Sequence, residues 1–141
     1  MRTFVSLICI LISSFLLSQN VVIEICGIRT NKGKIRVAVF KSHNDFIKEK
    51  PYYECFFDKN YIKKNKNTIK IDLKPGTYGI AVLDDENDNG KMDFTLVGIP
   101  QEGFGFSNYY TSGLIRPSFD DFKFVVLQGE SNVEVKMRYI W

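Results

Sequence analysis

The sequence has few of the residues from which most catalytic sites are built. It contains one histidine, His43, together with three cysteines and one tryptophan. Zinc sites normally draw on several His or Cys ligands, and no two cysteines here have the C-x-x-C spacing of such sites. A Ser-His-Asp triad would have to use His43, and no G-x-S-x-G motif accompanies it. We therefore expect a protein that is not an enzyme.

The chain also lacks a strong net charge and has only one long apolar run. Its formal net charge of +3 is too small to predict nucleic acid or an anionic membrane as a partner. The apolar run, Phe4–Leu17, follows Arg2 and is shorter than the roughly twenty residues of a membrane-spanning helix. This is the layout of a signal peptide. We expect a cleaved signal peptide over residues 1–19, one domain over residues 20–141, and a secreted or periplasmic protein without a stable membrane anchor.

Two cysteines, Cys26 and Cys55, lie in the expected mature domain. In an exported protein such a pair can oxidise to a disulfide. Their separation along the chain does not decide whether the two Cα atoms come within bridging distance. A disulfide and a pair of buried free thiols therefore both stay open.

Short alternating runs of apolar and polar residues fill the remainder of the chain, and no segment has the spacing of a long amphipathic helix. In the last run Val133, Val135 and Met137 alternate with Glu134 and Lys136, which is typical of a sheet covered on one face. Gly, Pro and Asn residues between the runs favour turns. The predicted strands are Val21–Ile28, Lys34–Phe40, Thr68–Leu73, Thr77–Leu83, Phe122–Leu127 and Asn132–Tyr139.

Strands of this number and length predict an all-β protein. In a domain of roughly 120 residues they favour a single two-layer β-sandwich of seven strands, within a range of six to eight. A short helix is expected around Asp45–Lys50, ended by Pro51. A further short strand is expected at Phe94–Val97.

The stretch DDENDNGKMD, Asp84–Asp93, has the donor spacing of a calcium loop. With Asp85 at position one, oxygen-bearing side chains fall at alternate positions, and Gly90 at position six allows a sharp bend. The predicted ligands are the side chains of Asp85, Asn87, Asn89 and Asp93 and the backbone carbonyl of Lys91. The sequence therefore predicts a calcium site in this loop.

The match to a helix-loop-helix calcium site fails at position twelve. That position is Leu96, where such a site uses a bidentate Glu. Asp84 or Asp88 is close in sequence, and Glu102 in the next loop is the candidate that closes the cage from above. Without a bidentate ligand the expected dissociation constant is that of extracellular modules, roughly 10⁻⁴ to 10⁻³ M.

Two alternatives to the metal site use the same residues. In the first, the loop is a polar turn at Asn89-Gly90, and Asp and Asn side chains cap their own backbone. In the second, Asp85 and Glu102 form a carboxylate pair for acid–base chemistry. Metal ligation explains these residues with fewer assumptions than catalysis does.

A Gly-rich aromatic segment, Gly98–Tyr110, follows the acidic loop. It predicts a ligand platform with two polar contacts and aromatic rings that stack on a sugar or a peptide. The candidate binding residues are Glu102, Phe104, Phe106, Asn108 and Tyr109. In the alternative interpretation the aromatic side chains fold back over the open end of the sandwich and cover its core.

Residues Leu73–Asn108 resemble the signature of DUF2141, a family of exported bacterial proteins whose function is not established. The family pattern joins an L-x-P-G-x-Y strand start, a D-x-N-x-N-G-x-x-D loop and a G-I-P-x-E-G-x-G-F-S-N segment, and each is present here. The resemblance extends from about Gly33 to Tyr139. The family often has a His before the acidic pair, where this sequence has Leu83, so no role that depends on that imidazole is expected.

The L-x-P-G-x-Y strand start also resembles prealbumin-like domains of carboxypeptidase regulatory regions and surface-protein repeats. That resemblance implies a prealbumin-like, seven-stranded sandwich. With the loop chemistry it leads us to expect a non-catalytic exported module in which bound calcium positions the Gly/aromatic segment for a glycan or a cell-surface protein. The alternative is a metal-free structural or accessory domain of the cell envelope.

Overall fold

The computed structural model describes residues 20–61 and 66–140 of the chain, so the expected signal peptide lies outside the described residues. Within these residues the chain forms eight strands and three short helical segments. The strands are β1 Asn20–Cys26, β2 Lys34–Phe40, β3 Tyr53–Asp58, β4 Lys66–Asp72, β5 Gly76–Asp85, β6 Gly103–Phe106, β7 Lys123–Val126 and β8 Ser131–Lys136. The helices are α1 His43–Ile47 and α2 Phe119–Phe122, with a 3-10 turn at Lys59–Tyr61.

The strands form two sheets, which confirms the all-β class. The smaller sheet has the order β4-β1-β8, in which β1 is antiparallel to β4 and parallel to β8. The larger sheet has the order β3-β2-β5-β6. The long strand β5 pairs with β7 along its first half and with β6 along its second half.

The main core lies between the two sheets and follows from the alternation of the strands. Successive side chains of a strand point to opposite faces, so β-branched residues two apart share one face. On β1 these residues are Val21, Ile23 and Ile25, all fully buried. From other strands they meet Ile35, Val37, Val39, Ile69, Val82 and Val135. This apolar layer packs the sheets against each other.

The turn before β5 is closed by a tyrosine. Tyr78 is buried in the main core, and its hydroxyl donates a hydrogen bond of 2.9 Å to the backbone carbonyl of Lys74. Pro75 presets its own φ for the turn, and Gly76 begins the strand. The L-x-P-G-x-Y pattern therefore encodes a turn that its tyrosine anchors in the core.

A second core, the outer aromatic cluster, covers the other face of the larger sheet. Its buried members are Ala38, Phe40, Phe46, Phe106, Phe119 and Phe122. The short helices α1 and α2 supply three of these rings. A Cβ added to Gly79 would lie only 2.5 Å from the Phe122 ring, so glycine lets that ring rest directly on the sheet. At this end the larger sheet is covered on both faces.

The structure corrects three sequence predictions at the level of elements. Phe94–Val97 is not a strand, because only an isolated bridge joins Phe94 to Pro100. Two strands, β3 and β6, were not predicted. Most side chains of β3 are exposed, and β6 alternates Phe with Gly, so neither shows the apolar alternation used to find strands. Helix α1 spans His43–Ile47 rather than the predicted Asp45–Lys50. It begins earlier because the hydroxyl of Ser42 caps it by accepting a hydrogen bond from the backbone N–H of Asp45, and it ends at its C-cap Lys48, before Pro51 is reached.

Cys26 and Cys55 are both free thiols. They belong to strands of different sheets, and Cys55 packs partly against the main core. Of the two alternatives, the structure therefore shows free thiols rather than a disulfide. Both cysteine side chains are half-buried rather than fully buried.

Across residues 20–61 and 66–140, no helix has the length and apolar character needed to cross a membrane.

Candidate functional site

The acidic loop begins inside the larger sheet. Asp84 and Asp85 are the last two residues of β5, and both are fully buried. The chain then turns through two residues of positive φ, Asp88 at 56° and Gly90 at 80°. Such angles favour Gly, Asn and Asp, which explains the composition of the turn. The chain reaches β6 at Gly103.

Asp85 holds the turn closed with both of its carboxylate oxygens. Its Oδ1 accepts a hydrogen bond of 3.0 Å from the backbone N–H of Asn89, and its Oδ2 accepts one of 2.7 Å from that of Gly90. The side chain at position one therefore points into the loop, as the calcium spacing predicts. A carboxylate oxygen has two lone pairs, so each oxygen keeps one for a further partner.

The side chains at positions three, five and nine converge on one point. The Nδ2 atoms of Asn87 and Asn89 donate hydrogen bonds of 2.6 and 2.7 Å to the same atom, Oδ2 of Asp93. The Oδ1 atoms of the two amides accept from the backbone N–H of Asn89 and Lys91, at 3.2 and 3.0 Å. The four predicted side-chain ligands are thus brought together, in contacts that also suit a polar turn.

Glu102 lies between the two ends of the loop. It is 5% exposed. Its Oε1 accepts a hydrogen bond of 3.1 Å from the backbone of Glu86, and its Oε2 accepts one of 3.3 Å from that of Asp93. Burial raises the pKa of Glu102, and the negative charges of Asp85 and Asp93 raise it further, against the hydrogen bond from Asp93 that lowers it. Glu102 therefore joins the start of the loop to its end.

Negative charge is concentrated in the site without a matching cation. Three carboxylates form no salt bridge with any described residue: Asp85, Asp93 and Glu102. In the described part of the chain no three His, Cys, Asp or Glu side chains form a group that could hold a metal ion. The oxygen donors of this loop are instead a mixture of carboxylates, side-chain amides and backbone carbonyls.

A buried charge cluster that no sequence motif indicates adjoins the loop. The Lys59 ammonium forms an ion pair with the carboxylate of Asp84, and both side chains are 0% exposed. The hydroxyl of Tyr139 donates a hydrogen bond to the other oxygen of Asp84. Burial raises the pKa of Asp84, although the hydrogen bonds from Lys59 and Tyr139 act to lower it. Lys59 lies in a Lys- and Asn-rich stretch, a composition typical of a solvated loop, so no sequence pattern indicates its burial.

The Arg29 side chain covers this cluster on the solvent side. Its guanidinium lies 4.3 Å from the centre of the Tyr139 ring and donates two hydrogen bonds of 2.9 Å to the carboxylate of Glu86. These hydrogen bonds lower the pKa of Glu86, against the raising effect of partial burial. The first residue after β5 is therefore fixed by a side chain from the β1–β2 connection.

Part of the Gly/aromatic segment is strand β6 rather than a loop. Besides pairing with β5, the strand exchanges backbone hydrogen bonds of 3.0 and 2.7 Å between Phe104 and Arg138. A Cβ on Gly105 would lie 2.6 Å from Val135, so the glycine permits close packing against β8. Phe106 is a buried member of the outer aromatic cluster, and Phe104 packs against it. These two rings cover apolar surface, as the alternative interpretation predicts, but on the outer face of the sheet.

Asn108 and Tyr109 occupy the end of the segment. Asn108 has a φ of 52°, and its Oδ1 accepts a hydrogen bond of 3.0 Å from the backbone of Glu134. Tyr109 is half-buried, and Tyr110 beside it is exposed. Together with Lys136 these four residues line a shallow depression of about 270 Å³. Of the predicted binding residues, Asn108 and Tyr109 therefore border this depression.

The fold and the site define an all-β protein of two sheets with a structured acidic loop between β5 and β6. A family model described as "Uncharacterized protein conserved in bacteria (DUF2141)" matches residues 23–135, which is most of the chain. The protein belongs to this family, and the family resemblance is confirmed. Comparisons with curated proteins and with solved structures gave no match.

Proposed function

We propose that the protein is an exported, non-catalytic β-sandwich module whose acidic loop binds one calcium ion. The observation that carries the proposal is the convergence of Asn87 and Asn89 on Asp93, next to the inward-pointing carboxylate of Asp85. Calcium takes six to eight oxygen ligands from carboxylates, amides, backbone carbonyls and water. The loop offers this mixture of ligands at positions one to nine of a calcium loop, and Glu102 is the proposed substitute for the ligand missing at position twelve.

The charge of the site supports the same proposal. Asp85, Asp93 and the buried Glu102 repel one another, and this repulsion contributes to the raised pKa of Glu102. A divalent cation among these carboxylates would replace the repulsion with attraction. Calcium would take the place of the two amide N–H donors on Asp93, and the amide oxygens would turn towards the ion. The carbonyl of Lys91 and the carboxylate of Glu102 would complete the site.

The partner proposed for the module is a glycan or a cell-surface protein. The supporting observation is the depression beside Asn108, Tyr109 and Tyr110, which combines aromatic faces with polar groups. Aromatic rings beside hydrogen-bonding side chains suit the apolar faces and hydroxyls of sugars.

The non-catalytic part of the proposal is supported by the only histidine of the sequence, His43. Its ring accepts a hydrogen bond of 3.3 Å from the backbone of Phe119, which is in keeping with a structural role.

A second candidate is a metal-free structural domain of the cell envelope. The hydrogen bonds from the loop backbone to Asp85, Asn87 and Asn89 favour it, because they satisfy the turn without an ion. The two candidates differ in one measurable property, which is the affinity of the loop for calcium.

Calorimetric titration of the purified protein with calcium tests the proposal. We expect saturable one-site binding with a dissociation constant of roughly 10⁻⁴ to 10⁻³ M, and weaker binding of magnesium. Asp93→Asn removes one charge at the point of convergence and should weaken binding at least about tenfold. Asp88→Asn is the matched control, because Asp88 lies in the same loop but its carboxylate pairs with Lys34 at 3.0 Å.

The absence of heat at millimolar calcium in the unmodified protein would reject the metal site and leave the metal-free domain. Equal losses in Asp93→Asn and Asp88→Asn would mean that overall charge, rather than the loop, attracts the ion. A glycan array probed with and without calcium examines the partner separately. Binding that disappears in Tyr109→Ala is expected, and a blank array would remove the glycan from the proposal.

A further inference from the structure

The outer face of the larger sheet carries a cleft of about 540 Å³ beside the outer aromatic cluster. Small side chains on neighbouring strands, Ala38 of β2 and Ala81 of β5, form part of its floor, with Leu83 and Phe104 beside them. The volume lies within the roughly 300 to 1,000 Å³ typical of small-molecule sites. The small floor residues leave space that larger side chains would fill.

The walls of the cleft carry apolar side chains that water contacts directly. The connection from β5 to β6 supplies Phe94, and the connection from β6 to α2 supplies Leu114 and Ile115. These three side chains are 57%, 64% and 85% exposed. Exposed apolar side chains gathered around a concave surface favour an apolar occupant. These three side chains form part of the rim of the cleft, so the apolar lining extends to its opening.

The charged groups of the cleft are mainly cationic. Arg36 forms an ion pair of 2.5 Å with Glu54, and Arg116 lies 3.6 Å from Glu49. Lys91 also lines the cleft, and among the described residues its ammonium has no salt-bridge partner. One positive charge at the edge of an apolar cleft therefore lacks a counter-ion.

We propose that this cleft binds an amphiphilic monocarboxylate of the medium-chain fatty-acid class. The hydrocarbon chain lies over Ala38 and Ala81 between the apolar walls, and the carboxylate pairs with Lys91. A single ammonium without a counter-ion matches a single negative charge. The size of the cleft matches a small molecule rather than a folded partner. The site is separate from the depression at Tyr109, and its occupation does not require calcium.

Calorimetric titration with sodium decanoate tests this site on the purified protein. The buffer contains EDTA, which removes calcium and prevents insoluble calcium soaps, and decanoate stays below its micelle concentration. We expect saturable one-site binding of decanoate. Octanoate should bind roughly fifteenfold more weakly, since each methylene removed costs roughly a factor of four. Decyltrimethylammonium, with the same chain and the opposite charge, should bind at least about tenfold more weakly than decanoate.

Variants of three cleft residues locate the binding. Ala81→Leu fills the floor and should weaken decanoate binding at least about tenfold. Ile115→Asp acts at the wall on a side chain that is 85% exposed, so it should weaken binding without disturbing the fold. Lys91→Gln should weaken decanoate binding roughly three- to tenfold and reduce the preference over decyltrimethylammonium. Lys70→Gln, at an exposed position of strand β4 in the other sheet, is the matched control and should bind as the unmodified protein does.

Several outcomes would overturn the proposal. These are the absence of saturable decanoate binding, equal affinities for the two oppositely charged amphiphiles, and decanoate binding that neither Ala81→Leu nor Ile115→Asp changes. Concentration-dependent dimerisation that Ile115→Asp abolishes, in a protein that does not bind decanoate, would assign the cleft to a second copy of the chain. Because EDTA is present throughout, a failure here leaves the calcium proposal untouched.

Discussion

Lys59 and Asp84 form an ion pair that water does not reach. Burying charges is costly, and removal of one partner leaves the other uncompensated. Lys59→Met should therefore lower the free energy of unfolding by about 3 to 5 kcal/mol, measured by urea denaturation. Lys34→Met makes the same change in the exposed pair with Asp88 and should cost less than about 1 kcal/mol. Similar losses in the two variants would contradict a stabilising role specific to the buried pair.

The ion pair between Arg29 and Glu86 predicts a pH dependence of stability. The pair lowers the pKa of Glu86 in the folded protein. Its stabilisation is therefore complete above the ordinary Glu pKa of about 4.3 and is lost as the pH falls through the lowered folded value. In EDTA, Glu86→Gln should lose less stability than the unmodified protein on acidification from about pH 5 to pH 3. Parallel melting curves across this range would show that the pair contributes nothing.

At the scale of single residues, the sequence predicts local arrangements better than distant ones. The side chains of Asp85, Asn87, Asn89 and Asp93 lie close together because one tight turn carries them all, and their role as calcium ligands stays a prediction. The cluster of Lys59, Asp84 and Tyr139 joins residues far apart in the chain, so no local sequence pattern indicates it. The sequence also does not show that Glu102, a candidate ligand, accepts hydrogen bonds from the backbone at both ends of the loop.

Among the elements, strand β6 depends on its glycines. Gly105 lies against Val135 and the backbone of Lys136, so an added methyl group must displace them. Gly105→Ala should lower the free energy of unfolding by about 1 to 3 kcal/mol through overpacking. Gly113→Ala is the control, since its nearest neighbours lie 3.8 Å from the added Cβ, and should change stability by less than about 1 kcal/mol. Equal stability of both variants in denaturant titrations would refute the close-packing argument.

Elements with clear apolar alternation were predicted well. Strand β2 has the predicted bounds Lys34–Phe40, and β1 and β5 differ from prediction only at their ends. Strands β3 and β6 were not predicted. Strand β3 is largely exposed, and β6 has glycine at alternate positions where the apolar pattern of a strand requires a larger side chain. Predicted strand Phe94–Val97 failed for a different reason: its apolar side chains lie at the surface, and Leu96 is fully exposed.

For the whole molecule, calcium should act as a stabilising ligand. A ligand at ten times its dissociation constant adds about 1.4 kcal/mol to the stability of the folded state. For a domain of this size that raises Tm by about 4 to 6 °C in a thermal melt. Asp93→Asn, which weakens binding at least about tenfold, should reduce the stabilisation to about 0.4 kcal/mol or less at the same calcium concentration, and Asp88→Asn should keep it. An increase of equal size in both variants would place the ion elsewhere.

The arrangement of the whole molecule was the least predictable level. Composition and alternation correctly predicted the all-β class, and motif resemblance correctly predicted the family. The parallel pairing of β1 with β8 joins strands from opposite ends of the described chain, and β6 and β7 both pair with the same edge of β5. Such pairings are set by the global packing of the two sheets rather than by neighbouring residues, so no segment read in isolation specifies them.

The chain leaves the edge of β5 at the end of β6 and rejoins the same edge at β7. Ser107 fixes both ends of this excursion, because its hydroxyl accepts a hydrogen bond of 2.9 Å from Ile80 and donates one of 2.6 Å to the carbonyl of Phe122. The sheet is therefore completed independently of the residues between. Foreign sequence grafted into exposed residues 112–115 would cost the entropy of a longer loop, the hydrogen bonds that the Arg138 guanidinium donates to the carbonyls of Ser112 and Gly113, and the apolar wall that Leu114 and Ile115 give the cleft. A graft at this position would therefore remove the cleft and leave the edge of the sheet closed.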